Sequence, residues 1–195
     1  MEAKQLVVTR KKLFTKEECI SIIDNKDKYN LSPATTFGEY SIEENPNDPN
    51  RIGNIGWIDV DKFPYMDRIR TLVAGYNQIE NYILNDNYQL QFCEYGPGAW
   101  FRKHQDTYLS MNQRTNFVDT RKISMTIQLS DDQDYTGGDV IITIKKTETG
   151  SQGYPISRQQ GDAIVFPSYF NHQVNQINSG KRYSLVVWAH GPHWK

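Results

Sequence analysis

Apolar residues recur along this chain at two periods, and the change of period divides it near residue 87. Residues 4–9, KQLVVT, read as a short strand. Thr15-Lys16-Glu17-Glu18 has the form of a capping box, with a hydroxyl at the N-cap and a carboxylate three residues on. Cys19, Ile20, Ile22 and Ile23 supply an apolar face, so the pattern predicts a helix from Thr15 to about Tyr29. Residues 54–60 read as a strand. Pro64 suits the first turn of a second helix. Met66, Ile69, Leu72, Val73, Tyr76, Ile79, Tyr82 and Ile83 then keep helical spacing to about residue 84. That stripe predicts a helix packed on the outside of a sheet. Between these segments, residues 30–51 have no period and are rich in Pro, Asn, Ser and Thr. Two readings of this loop stay open: a lid or binding loop, or a plain surface connection.

Beyond residue 87 the pattern is strands, at 88–95, 100–104, 122–130, 138–145, 162–167, 172–178 and 181–190. Turn signals separate them, among them Gly96-Pro97-Gly98, Gly137-Gly138, Gly161-Asp162 and Asn178-Ser179-Gly180. Two early helices followed by many short strands predict a mainly β fold with flanking helices. The expected architecture is a double-stranded β-helix, or jelly roll, over 87–195, buttressed by a helical and loop part at 1–86, in one domain.

Composition narrows the class. A chain of 195 residues suits one domain with its own core. The formal net charge of −1 favours neither nucleic acid nor an anionic membrane. No apolar run approaches the roughly 18 residues of a membrane span, and the N-terminal apolar segment is too short for a signal peptide. Cys19 and Cys93 are the only cysteines and make neither a disulfide framework nor a zinc spacing. A reducing cytoplasm is the expected location.

The four histidines are His104, His172, His190 and His193. His104-Gln105-Asp106 is an H-x-D, and residues i and i+2 of a strand share a face. His172 follows a buried-strand signal, Gly161-Asp162-Ala163-Ile164-Val165-Phe166-Pro167. Two histidines and one carboxylate with open positions form the facial triad of non-haem iron(II). An H-x-D alone is more often a hydrogen-bonded surface pair, and a lone His172 an ordinary loop histidine. Arg182, ten residues after His172, strengthens the metal reading. A hairpin across Asn178-Ser179-Gly180 is expected to return it beside the metal. Arg182 and Ser184 share a strand face, and a guanidinium fork with a hydroxyl matches the distal carboxylate of 2-oxoglutarate.

The run Leu90 to Asp106, LQFCEYGPGAWFRKHQD, resembles the metal-site strand of the prolyl 4-hydroxylase family. Arg121 to Asp139 resembles the family's next strands, especially in bacterial PKHD-type hydroxylases. His172, then Gly180-Lys181-Arg182-Tyr183-Ser184, then Trp188-Ala189-His190 is the third match. The resemblance implies an iron(II)- and 2-oxoglutarate-dependent hydroxylase that uses dioxygen, yields succinate and carbon dioxide, and has ascorbate as a supporting reductant. It implies His104, Asp106 and His172 as metal ligands. Arg182, Ser184, Tyr95 and Trp188 are implied on the cosubstrate, and Arg121, His190 and Trp188 on the substrate. Phe101 departs from the pattern, since many members carry a tyrosine three residues before the metal histidine. The implied substrate is a proline in a peptide or protein. The alternatives are a free amino acid, another small molecule, or a non-catalytic metal-binding module. Nucleic-acid demethylases of the superfamily usually carry a second arginine six residues after the first, where this chain has Trp188. No nucleic acid or membrane partner is expected, and the sequence leaves the oligomeric state open. Loops 30–51 and 107–120 are the candidate lids.

Overall fold

The computed structural model describes residues 7–34, 36–37, 44–45, 50–107, 109–111, 118–147 and 150–193. In chain order the elements are β1 (Val8–Arg10), α1 (Lys16–Asp24), a 3-10 turn (Lys26–Tyr29), β2 (Ser32–Pro33), β3 (Thr36–Phe37), β4 (Glu44–Asn45), β5 (Arg51–Ile52), β6 (Asn54–Ile58) and α2 (Met66–Glu80). Then come β7 (Tyr88–Tyr95), β8 (Trp100–His104), β9 (Leu109–Met111), β10 (Val118–Gln128), β11 (Tyr135–Gly137), β12 (Val140–Thr147) and β13 (Gly150–Pro155). The last are β14 (Ala163–Pro167), β15 (Asn171–Val174), β16 (Ile177–Gly180) and β17 (Arg182–Pro192).

Two antiparallel sheets face each other as a jelly roll. The larger runs β1-β14-β10-β17-β7-β6-β2, with β9 beside β10; the smaller runs β13-β12-β15-β8-β5. Side-chain alternation on the long strands divides the core between two layers. Leu185, Val187 and Ala189 of β17, with Ile123, Met125 and Ile127 of β10, join Ile69, Val73 and Tyr76 of α2 and Cys19 and Ile22 of α1 in one buried cluster. Burying each such large side chain contributes roughly 1.5–3 kcal/mol. The opposite faces of the same strands carry Arg182, Ser184, Val186 and Trp188, and Ser124, Thr126 and Gln128. Those residues point between the sheets.

The two buttressing helices are where the pattern put them, with shorter ends. The capping box forms: Thr15 Oγ1 accepts from the Glu18 N–H at 3.2 Å, and Thr15 N–H donates to Glu18 Oε2 at 2.9 Å. The first helix stops at Asp24 because the Asn25 side chain donates to the Ser21 carbonyl at 2.7 Å, and the 3-10 turn follows. The second starts at Met66, past Pro64, and stops at Glu80, where Asn81 takes a left-handed conformation at φ 53°. Asn77 then holds Tyr82 through both its side-chain oxygen and nitrogen.

The expected strand at 172–178 is two strands. β15 belongs to the smaller sheet, whereas β16 pairs with β11. Arg182 therefore does not return on a hairpin from His172. The chain crosses from one sheet to the other, with Gly180 at φ 73°, and β17 faces β15 across the interior. Both cysteines are buried free thiols. No helix among the described residues is long and apolar enough to cross a membrane.

Candidate metal centre and cavity

His104 ends β8 and lies in register with His172 on the neighbouring β15. Asp106 lies beyond the end of the strand, so strand alternation does not aim it. Its backbone N–H donates to the Ser168 carbonyl at 2.9 Å, which folds it back between the two imidazoles. His104 Nε2 lies 3.6 Å from Asp106 Oδ1, and His172 Nε2 lies 3.4 Å from Asp106 Oδ2. The three donor atoms fall within 4.8 Å of one another, close enough to grip one ion.

The surroundings prepare each donor. His104 Nδ1 lies 2.8 Å from the Arg102 carbonyl and His172 Nδ1 2.9 Å from the Phe170 carbonyl. A carbonyl only accepts, so Nδ1 carries the proton in both rings and the Nε2 lone pairs are left for a metal. The Ser124 hydroxyl donates to Asp106 Oδ2 at 2.7 Å, with the Ser168 hydroxyl 2.9 Å behind it. Burial works against ionising Asp106, but the facing imidazoles outweigh it and hold the carboxyl well below the usual carboxylate range. Burial and the neighbouring His172 lower the pKa of His104. For His172 burial also opposes the charged form, but Asp106 outweighs it and raises the pKa. An ionised carboxylate and imidazole nitrogens, with no thiolate, form a donor set that fits iron(II).

The triad opens into a cavity of about 230 Å³ between the sheets. Arg182 lies in its wall and is 2% exposed. Its Nη1 donates to Ser184 Oγ at 3.2 Å and its Nη2 to Gln128 Oε1 at 2.8 Å, while Nε has no partner among the described residues. Among the described residues no carboxylate pairs with it. A buried guanidinium without counter-charge is costly, and an anionic ligand carboxylate removes that cost. Tyr95 faces the same cavity, its ring 5.9 Å from the Arg182 guanidinium.

Trp188 lines the cavity together with Trp57, at 6.0 Å between ring centroids, and Trp57 is 53% exposed. Arg121 lies 3.7 Å over the Trp188 ring and donates to Gln89 Oε1. A bulge between Arg121 and Ile123 turns Arg121 onto the cavity face, out of phase with the rest of β10. The Trp188 indole N–H is buried and has no partner among the described residues. His190 is not brought to the cavity. Its Nδ1 lies 3.1 Å from the Asn87 carbonyl, past the end of the lining.

Sequence reading missed Ser124 and Gln128, and also Arg51, which lines the cavity. The polar alternation Ser124-Thr126-Gln128 against Met125 and Ile127 carried the signal for the first two. Arg51 was read as the last residue of a loop. Much of both candidate lids, including 38–43, 46–49, Tyr108 and 112–117, lies outside the described residues.

A family model described as the 2OG-Fe(II) oxygenase superfamily matches residues 90–190. A PKHD-type hydroxylase of Psychrobacter sp. (strain PRwf-1) is 30% identical over 98 residues, 50% of this chain. The match spans 36% of that relative's length. A Pseudomonas putida prolyl-4-hydroxylase has the same fold at TM-score 0.70 and 18% identity, over 96% of this chain and 94% of that one. The viral collagen prolyl hydroxylase of Paramecium Bursaria Chlorella virus-1, solved with 2OG, gives TM-score 0.65 and 15% identity, over 95% and 96%. At these identities the structural likeness speaks for the fold.

Proposed function

Because the chain belongs to the 2OG-Fe(II) oxygenase superfamily, we propose that it is a dioxygenase that hydroxylates a proline in a peptide or protein. Bound iron(II) supplies the dioxygen chemistry, in which 2-oxoglutarate becomes succinate and carbon dioxide and one oxygen atom goes to a substrate C–H. His104, Asp106 and His172 would hold the ion through two imidazole nitrogens and one carboxylate oxygen. Arg182 and Ser184 take the distal carboxylate of the cosubstrate, and Tyr95 walls it. Phe166, Val140, Val174 and Val186 line the space between and give it an apolar wall.

What supports the substrate reading is the aromatic lining of the cavity, where the exposed Trp57 lies 6.0 Å from Trp188 between ring centroids. The open Trp57 face beside Trp188 suits the apolar ring of a proline. The named prolyl hydroxylases of the same fold support this choice. The test is a peptide array incubated with the protein, iron(II), ascorbate and 2-oxoglutarate, read by succinate release and mass spectrometry. Proline peptides are expected to gain one oxygen. Turnover raised only by free amino acids or other small molecules rejects the peptide reading.

A further inference from the structure

The two metal histidines are not equally supported. His172 is embedded, with the Phe166 ring set edge-on to its own at 4.9 Å between centroids. His104 is on β8, next to the two-residue edge strand β5. Its ring lies 4.2 Å from that of His172, tilted at 53°, and Phe101 lies nearly flat on it at 3.7 Å and 19°. Phe101 in turn is covered by Arg51, whose guanidinium carbon lies 4.5 Å from the ring centroid.

Arg51 is built into this place. It is in register with Phe101 across β5 and β8, and the Arg102 N–H beside it donates to the Asn50 carbonyl at 2.8 Å. Its Nη2 donates to Gln91 Oε1 at 2.9 Å. Gln91 belongs to β7, inside the larger sheet, so one side chain ties the edge strand of the smaller sheet to the larger one. The tie ends on the stack that holds the metal histidine.

We propose that Arg51 is a positioning residue of the metal centre, which clamps Phe101 onto the His104 imidazole and so holds that ring in its metal-binding orientation. Without the clamp, His104 keeps its Nδ1 bond to Arg102, which leaves the ring free to tilt about that bond. The reading rests on the triad as the metal site. Arg51 need touch neither cosubstrate nor substrate to act in this way.

The test titrates Mn(II) into the metal-free protein without 2-oxoglutarate, so cosubstrate contacts contribute nothing. Arg51→Met is expected to weaken Mn(II) binding roughly tenfold, as loss of an outer support to a metal ligand does. Phe101→Leu is expected to do the same. The double variant is expected to match Phe101→Leu alone, because both residues act through one stack. Arg51→Lys keeps a cation over the ring and is expected to recover most of the affinity, with the melting temperature of each metal-free variant as the folding control. Wild-type affinity in Arg51→Met, multiplied losses in the double variant, or a lysine as weak as methionine overturns the clamp. Failure of the wild type itself to bind Mn(II), with Asp106→Ala unchanged from it, rejects the metal reading instead.

Discussion

At the scale of single residues, the site depends on donors whose protons are already placed. The Nδ1 atoms of His104 and His172 are committed to carbonyls, and Asp106 is held ionised between the rings. Arg182 is the complementary case, a buried cation bonded to Ser184 and Gln128 and with no carboxylate partner among the described residues. Arg182→Ala is expected to raise the 2-oxoglutarate requirement by roughly 10–100-fold, the equivalent of a charge-assisted hydrogen bond of about 1.5–3 kcal/mol. Mn(II) affinity is expected to stay unchanged. Arg182→Lys recovers only part, since an ammonium lacks the fork that reaches Ser184 and Gln128 together. A KM for 2-oxoglutarate equal to that of the wild type contradicts the assignment.

At the scale of elements, local chemistry was readable and its limits were local too. The capping box at Thr15 marked the first helix, and strands β7 and β8 begin and end where alternation and the Gly96-Pro97-Gly98 turn put them. The helix ends were misplaced because Asn25 and Asn81 stop them with side-chain and left-handed backbone geometry that apolar spacing does not register. The same limit applies to Asp106, aimed by a bond to Ser168 far along the chain. Gly161 shows how an element is fixed by its neighbour. It has φ 83°, and a Cβ there runs into the Phe14 carbonyl, while Phe14 N–H donates to Gly161 O at 3.2 Å. This contact docks the start of α1 against the entry to β14. Gly161→Ala is expected to cost on the order of 2 kcal/mol through strain and collision, read as a lowered melting temperature. An unchanged melting temperature contradicts that role.

At the scale of the whole molecule, the motif order His104, Asp106, His172, Arg182 was legible, but the route joining them was not. A hairpin and a crossing between sheets place Arg182 near the His104-Asp106-His172 cluster equally well, and only long-range pairing of β15 with β8 and of β17 with β7 distinguishes them. His190 followed the same motif yet lies past the cavity. There it carries a stability signal: burial, with the Arg121 charge, lowers its pKa from 6.5 to about 4. The unfolded chain takes up that proton first as pH falls, so His190 contributes stability above pH 6.5 that is lost toward pH 4. The loss amounts to about 3 kcal/mol at most. His190→Gln is expected to flatten the fall in melting temperature across this window relative to the wild type; an equally steep fall contradicts it. Asp106, whose lowered pKa also costs stability in acid, is present in both proteins and cancels from the comparison. The proposed function makes the His104-Asp106-His172 face and Arg182 one oxidising site. Succinate release from 2-oxoglutarate by the purified chain with iron(II) and ascorbate, set beside that of Asp106→Ala, decides whether they act so. Steady release by the wild type and background release by the variant is the predicted result. Iron and 2-oxoglutarate binding without any turnover, or equal turnover by the variant, contradicts it.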